Sequence, residues 1–269
     1  MGIAQRLKPD YFYRKNYRGI MKTSLFKVIM PLGILASIFV YSCTKEDDTE
    51  DEIKTEKVDA ATVVASSAND AKSGGVYKGT LIGSTGSLKV VLVGDTKVAY
   101  MVFDGVSRTL TTTDLGSWAS GQAVTNATFT SGDWKVVFSV SAAGTNPVIS
   151  ITVPGHTVAV AILKEQSSSL TKSYEGTFTT GTTSSNFNFV LKGDTSLTGM
   201  LKTTDNKIVN FKGSVVSNKI TVTTNSGTGV ITATGTVSGD VATGTFKEAG
   251  TINNVKYEVA GSWTAKKAL

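Results

Sequence analysis

From Gly74 to Leu269, apolar and polar side chains alternate with period two, as in strands that bury one face. Trp134, Val136, Phe138 and Val140 alternate with Lys135 and Ser139. Phe187, Phe189 and Leu191 alternate with Asn188 and Lys192. Val255, Tyr257, Val259, Gly261 and Trp263 alternate with Lys256, Glu258 and Ser262. No stretch sustains a helical period, so this region is predicted to be all β. Gly94-Asp95, Asp104-Gly105, Gly132-Asp133, Gly193-Asp194 and Gly239-Asp240 stand between the runs. Gly, Asp and Asn tolerate the positive φ of tight hairpin turns, so runs of about 8–10 residues between such pairs describe an antiparallel meander.

The pattern also repeats. Tyr77-Lys78-Gly79-Thr80 returns 97 residues on as Tyr174-Glu175-Gly176-Thr177. Val91-Leu92-Val93-Gly94-Asp95-Thr96 returns 99 residues on as Val190-Leu191-Lys192-Gly193-Asp194-Thr195. Gln166–Thr171, between the copies, has the composition of a linker. The expectation is two tandem meander modules, 74–166 and 172–269, each of roughly eight short strands. Each must hide its edges by closing into a small barrel or folding into a sandwich. The alternative is one larger β-barrel or sandwich built from both repeats. Independent modules would make Ser167–Thr171 a preferred protease site. Gly75 and Tyr77 at the start, with Gly261-Ser262-Trp263 near the end, weakly resemble the ends of lipocalin- and avidin-like barrels. That resemblance implies closure and says nothing of a ligand.

The chain ahead of the modules follows other rules. Lys22 and Lys27 flank an uncharged apolar run of thirteen residues, Val28 to Val40, interrupted by Pro31. As a helix this run covers about 20 Å, against roughly 30 Å of hydrocarbon, so it suits a signal-peptide core better than a membrane span. Val40-Tyr41-Ser42-Cys43 resembles a bacterial lipobox, with Tyr41 where the pattern usually has Ala, Ser or Thr. The resemblance implies a diacylglyceryl group on the Cys43 thiol, cleavage before Cys43 and acylation of the new amine. Cys43 is the single cysteine of the chain, so no internal disulfide can form. Residues 21–42 then form a lipoprotein signal peptide starting at Met21, and residues 1–20 read as an extension ahead of the true start.

Charge divides at the same place. The whole chain carries a formal +6. Residues 1–42 hold seven Lys or Arg against Asp10 alone, whereas 43–269 hold twenty basic and twenty acidic residues. The basicity belongs to the part removed, which argues against a nucleic-acid partner. Residues 43–73 read as an acidic disordered tether, with nine acids against four lysines and a weak helical signal at 58–65. Within it Lys45, Glu46, Asp47 and Asp48 resemble the Lys-acid-acid signal that follows the acylated cysteine in surface-exported lipoproteins. The resemblance implies an outer-membrane location with outward display; facing the periplasm is the alternative.

Candidate chemistry is sparse. His156, the only histidine, sits in a Pro-Gly turn with no cysteine or second histidine to complete a zinc set and no Gly-x-Ser-x-Gly elbow. Asp95 and Asp194 occupy equivalent repeat positions, yet each follows a turn glycine, where Asp bonds its own backbone. The other acids of the β region, Glu165, Glu175, Glu248 and Glu258 among them, form no cluster on one strand face. Trp134 and Trp263 are in phase with apolar neighbours and are assigned to cores. Trp118, on a glycine-flanked loop, is the aromatic candidate for ligand contact. The reading is a non-enzymatic binding or structural/adhesion module. A carboxylate-dependent glycan hydrolase and an accessory subunit of an envelope complex are the alternatives. Its partners would be the membrane through the lipid anchor, the lipoprotein processing and export machinery, and a glycan, small ligand or protein. No cofactor beyond the covalent lipid is expected. The interior decides between roles, since a packed core implies a scaffold and a cavity of about 300 Å³ or more implies a small ligand.

Overall fold

The computed structural model describes residues 62–203 and 206–269. Cys43, Lys45, Glu46, Asp47 and Asp48 lie outside the described residues, as does most of the expected tether. The described part is all β, in two eight-stranded antiparallel units rather than one merged barrel. The first contains β1 (Gly75–Ile82), β2 (Thr85–Val93), β3 (Thr96–Phe103), β4 (Val106–Thr111), β5 (Val124–Ser131), β6 (Trp134–Val140), β7 (Val148–Thr152) and β8 (Ala159–Lys164). Its strand order is β7-β6-β5-β4-β3-β2-β1-β8, a nearly closed barrel with β7 and β8 at its edges. The second contains β9 (Thr171–Thr180), β10 (Thr183–Lys192), β11 (Ser196–Lys202), β12 (Ile208–Val216), β13 (Lys219–Asn225), β14 (Gly229–Ser238), β15 (Val241–Ile252) and β16 (Val255–Lys267). It closes fully, with β16 returning to pair with β9.

The turns fall where the sequence places them. Gly94, Asp104, Gly105, Gly132, Gly193 and Gly239 all adopt positive φ between paired strands. The period-two phase sets which side chains enter each barrel. Inside the first, Tyr77, Leu88, Met101, Leu110, Phe129 and Phe138 are fully buried and fill the interior. Tyr77 meets Phe138 edge-on at 4.9 Å and donates its hydroxyl to Ser73 O at 2.7 Å. Burial pushes that hydroxyl's pKa well up. Its repeat counterpart Tyr174 stacks on Phe189 at 4.9 Å. Its pKa is also raised, by burial first and then by the negative charges of Asp240 and Asp194.

The two barrels share a buried face. On β1 and β2 the outward residues Val76, Thr80, Ile82, Ser87, Lys89 and Val91 are as buried as the inward ones. They pack against β9, β10 and β11, whose outward Ser173, Asn188, Val190 and Met200 are likewise buried. Asn188 ties the two together, its Nδ2 donating to Leu81 O at 2.5 Å while its Oδ1 accepts from Gly176 N at 3.1 Å. Ser173 Oγ donates to Gly79 O at 3.2 Å, and Thr85 Oγ1 donates to Glu175. Strands buried on both faces lose strict alternation, which explains the near-continuous run Leu88–Val93.

The segment joining the barrels is fastened rather than loose. Ser167 donates its N–H and its hydroxyl to Asp70, at 2.9 and 2.7 Å. Those two bonds hold the Asp70 carboxyl below its ordinary pKa, so this tie persists at neutral pH and loosens only in acid. Thr171 N donates at 3.1 Å to the buried Glu165, which also meets Lys78 Nζ at 2.6 Å. The end of the expected tether is docked too. Residues 62–65 are not helical, and Ser67–Asn69 form a single 3₁₀ turn instead. Lys164 Nζ reaches that turn, donating to Asn69 O at 2.6 Å, to Asp70 O at 3.2 Å and to Lys72 O. Burial lowers the Lys164 pKa, with Asp70 opposing the shift. Ser73, the last expected tether residue, is fully buried against Gln122.

Candidate functional site

The two repeats differ most inside. Where the first barrel is filled, the second encloses a cavity of about 350 Å³, the size class of small-molecule sites. Its walls are aromatic: Phe178, Phe187, Phe189, Phe211, Phe246 and Trp263. Phe178 meets Phe246 edge-on at 5.4 Å, and Phe187 meets Trp263 edge-on at 5.6 Å. Leu197, Leu201, Ile220, Val222, Ile231, Ala233 and Val259 complete the apolar lining.

The hollow has a cause in the sequence. Inward positions of the second barrel alternate large rings with glycine. A Cβ at Gly235 or Gly244 would overlap the Trp263 ring, and one at Gly261 would overlap Phe246. The Trp263 and Phe246 rings therefore rest against glycines of neighbouring strands, where a larger residue would push them toward the barrel centre. In the first barrel, bulky aliphatic side chains such as Leu88, Met101 and Leu110 point inward and use that space.

One end of the cavity is polar. Thr180, Thr183, Ser185, Thr203 and Thr224 lie there, at the strand ends where the β9–β10, β11–β12 and β13–β14 turns gather. Glu248 lies at the same end, paired with Val259 and four residues before Ile252, which pairs with Val255 across the β15–β16 turn. Its Oε1 accepts from Ser226 Oγ at 2.5 Å, Tyr257 Oη at 2.9 Å and Thr228 Oγ1 at 3.4 Å. Tyr257 also donates toward Thr228 Oγ1 at 3.1 Å. The opposite end is plugged by buried Leu191, Val215 and Ala242 around Tyr174.

Trp118 is placed elsewhere. It belongs to the first barrel, half-buried in the connection between β4 and β5, and does not line the cavity. Its indole N–H donates to Gln122 O at 3.0 Å, and Lys97 Nζ stands 6.0 Å from the ring. Trp263 is both core and cavity wall. Trp134 is half-buried against the first core, with the Arg108 guanidinium 5.0 Å from its ring. His156 is exposed in its turn and touches Phe103 edge-on at 5.0 Å. Asp95 and Asp194 are exposed, one in a turn of each barrel. Among the described residues, no three His, Cys, Asp or Glu side chains stand together as a metal site would need.

Glu248 escaped sequence reasoning, although a signal for it exists. Phe246 and Glu248 share the inward phase of β15, whereas Lys247 faces out and pairs with the exposed Glu258 at 2.7 Å. An acid in phase with a core phenylalanine marks a carboxylate directed into a barrel. No protein-family model matches this chain, and no curated protein matches it.

Proposed function

We propose that this chain is a lipid-anchored protein of the bacterial envelope, displayed at the cell surface, whose second barrel binds a small, largely apolar ligand without chemical turnover. The observation that carries the binding role is the aromatic cavity in a closed barrel. Its volume corresponds to a ligand of about a dozen heavy atoms at ~30 Å³ each. The filled first barrel, joined to the second by a buried face, serves as a scaffold. The envelope location rests on the lipobox-like segment ending at Cys43 and on the acidic run behind it.

Binding is tested with a neutral, environment-sensitive apolar dye added to the full chain. Trp263 in the cavity wall reports occupancy by fluorescence quenching. Saturable binding is expected, and Ala233→Phe, which places a ring in the cavity, should weaken it at least tenfold while the protein stays folded. Equal binding by the filled variant would remove the cavity from the account. The anchor has its own test. Cys43→Ser should move the protein from the membrane fraction to the soluble fraction, with loss of the lipid mass. A membrane-bound, unmodified Cys43→Ser protein would overturn the anchorage.

A further inference from the structure

We propose that the cavity of the second barrel selects an apolar organic cation, a protonated amine whose body fills the aromatic chamber and whose head binds Glu248. The inference rests on the reading of this barrel as a ligand-binding module and names the chemistry of what it takes.

Charge gives the first argument. Among the described residues Glu248 is the one charged residue in the lining, with no Lys, Arg or His there. A ligand carboxylate would face a like charge with no cation to offset it. A bound ammonium would face its counter-charge at the half-buried end of an apolar chamber, where the contact is less screened than in open solvent.

Hydrogen-bond polarity points the same way. Several of the lining donors are already committed. Ser185 Oγ donates to Lys202 O at 2.8 Å, Thr224 Oγ1 to Asn210 O at 3.1 Å, and Trp263 Nε1 to Thr245 O at 3.2 Å. Ser226 and Tyr257 each reach Glu248 with a hydroxyl, at 2.5 and 2.9 Å, the shortest of the contacts each hydroxyl makes. All of these bonds fall on Oε1, and among the described residues none falls on Oε2. The three hydroxyls fix the carboxylate in place and leave its second oxygen to accept. The Thr180 and Thr183 hydroxyls can donate or accept, whereas the carboxylate beside them only accepts, so the ligand head that complements this end is a donor.

The walls supply the third argument. Six aromatic side chains surround the chamber. Their ring faces carry negative quadrupole density, which attracts a desolvated cation and gives a carboxylate nothing. Aliphatic walls would bury the same ligand body without that preference.

Three probes share one body and differ only in the head: phenylbutylamine, phenylbutanol and phenylbutyrate, each titrated calorimetrically into the full chain. The amine is expected to bind at least tenfold tighter than the alcohol, with the carboxylate weakest. Glu248→Gln should bring the amine to within about threefold of the alcohol, with an unchanged thermal midpoint to show that the variant barrel is intact. Glu248→Asp keeps the charge and should keep the preference for the amine. An amine that binds no better than the alcohol, or a Glu248→Gln protein that still prefers it tenfold, overturns this proposal while leaving the ligand-binding reading in place. Failure of all three probes overturns both.

Discussion

Glu165→Ala is expected to cost about 3–5 kcal/mol of stability and to make Ser167–Thr171 cleavable by protease. The side chain is fully buried where the first barrel hands over to the second. Its Oε1 accepts from Lys78 Nζ at 2.6 Å and from Thr171 N at 3.1 Å, so one carboxylate fastens strand β1 to the first residue of β9. Alanine would strip the buried ammonium of its counter-charge and leave the Thr171 amide without its acceptor. Lys78 keeps a contact with Thr171 O at 3.1 Å and is 15% exposed, which sets the loss toward the lower end of the range. The desolvation argument makes a sharper test possible. Replacing both partners, as in Lys78→Met with Glu165→Leu, removes two buried charges together and should recover most of the loss. Denaturant midpoints measure both variants. A Glu165→Ala protein within about 1 kcal/mol of the parent would show that the pair does not hold the joint.

The second large effect separates the two interiors. Phe138→Ala should cost about 4 kcal/mol, because Phe138 is fully buried in a filled barrel against Tyr77 and its removal opens a new void. Phe187→Ala deletes the same atoms from the second barrel, where the ring already borders the cavity. It loses contacts with Trp263 and Phe189, but much of its surface faces space that is empty beforehand. The expected cost is about 2 kcal/mol, with a gain in capacity for bulkier ligands. Thermal denaturation of the two variants side by side checks this. Equal losses would mean that the second interior is as full as the first.

Much of this architecture was legible in the residues. Trp134–Val140 and Val255–Trp263 advertise strands because each has one wet face, and period two survives wherever that holds. The turn pairs are legible because only a few residue types accept positive φ. The repeated Tyr-x-Gly-Thr and Gly-Asp-Thr segments sit at equivalent places in the two barrels, on β1 and β9 and at the ends of β2 and β10. What could not be read is what depends on partners distant in sequence. Alternation says that Phe187 and Phe138 both point inward, and nothing local says that one meets a packed wall and the other a hollow. Asn188 looks like a solvent-facing strand residue until β1 is laid across it. The linker composition of Gln166–Thr171 is real, but Asp70, which grips Ser167, and Lys78, which holds Glu165 in place, lie far back along the chain, so the fastening has no local signature. Trp118 drew attention as an aromatic out of phase, and the phase break reflects a hydrogen bond within its own loop. Glu248 went unnoticed for the converse reason, since its three partners come from a turn and from the next strand.

In each barrel the last strand returns to pair with the first, through pairs as remote as Tyr77 with Lys164 and Tyr174 with Lys267, which closes the second barrel and leaves the first open only between β7 and β8. In space this removes an edge; in time it imposes a wait. A chain that emerges N-terminus first presents β1 with its seam side unpaired until β8 arrives. The outward Val76 and Ile82 stay wet longer still, until β9 to β11 cover them. Pairing over such separations belongs to the slow regime of about milliseconds to seconds, during which bare strand edges can find the wrong neighbour. The partly made chain, rather than the finished one, is where this protein most needs protection from its own kind.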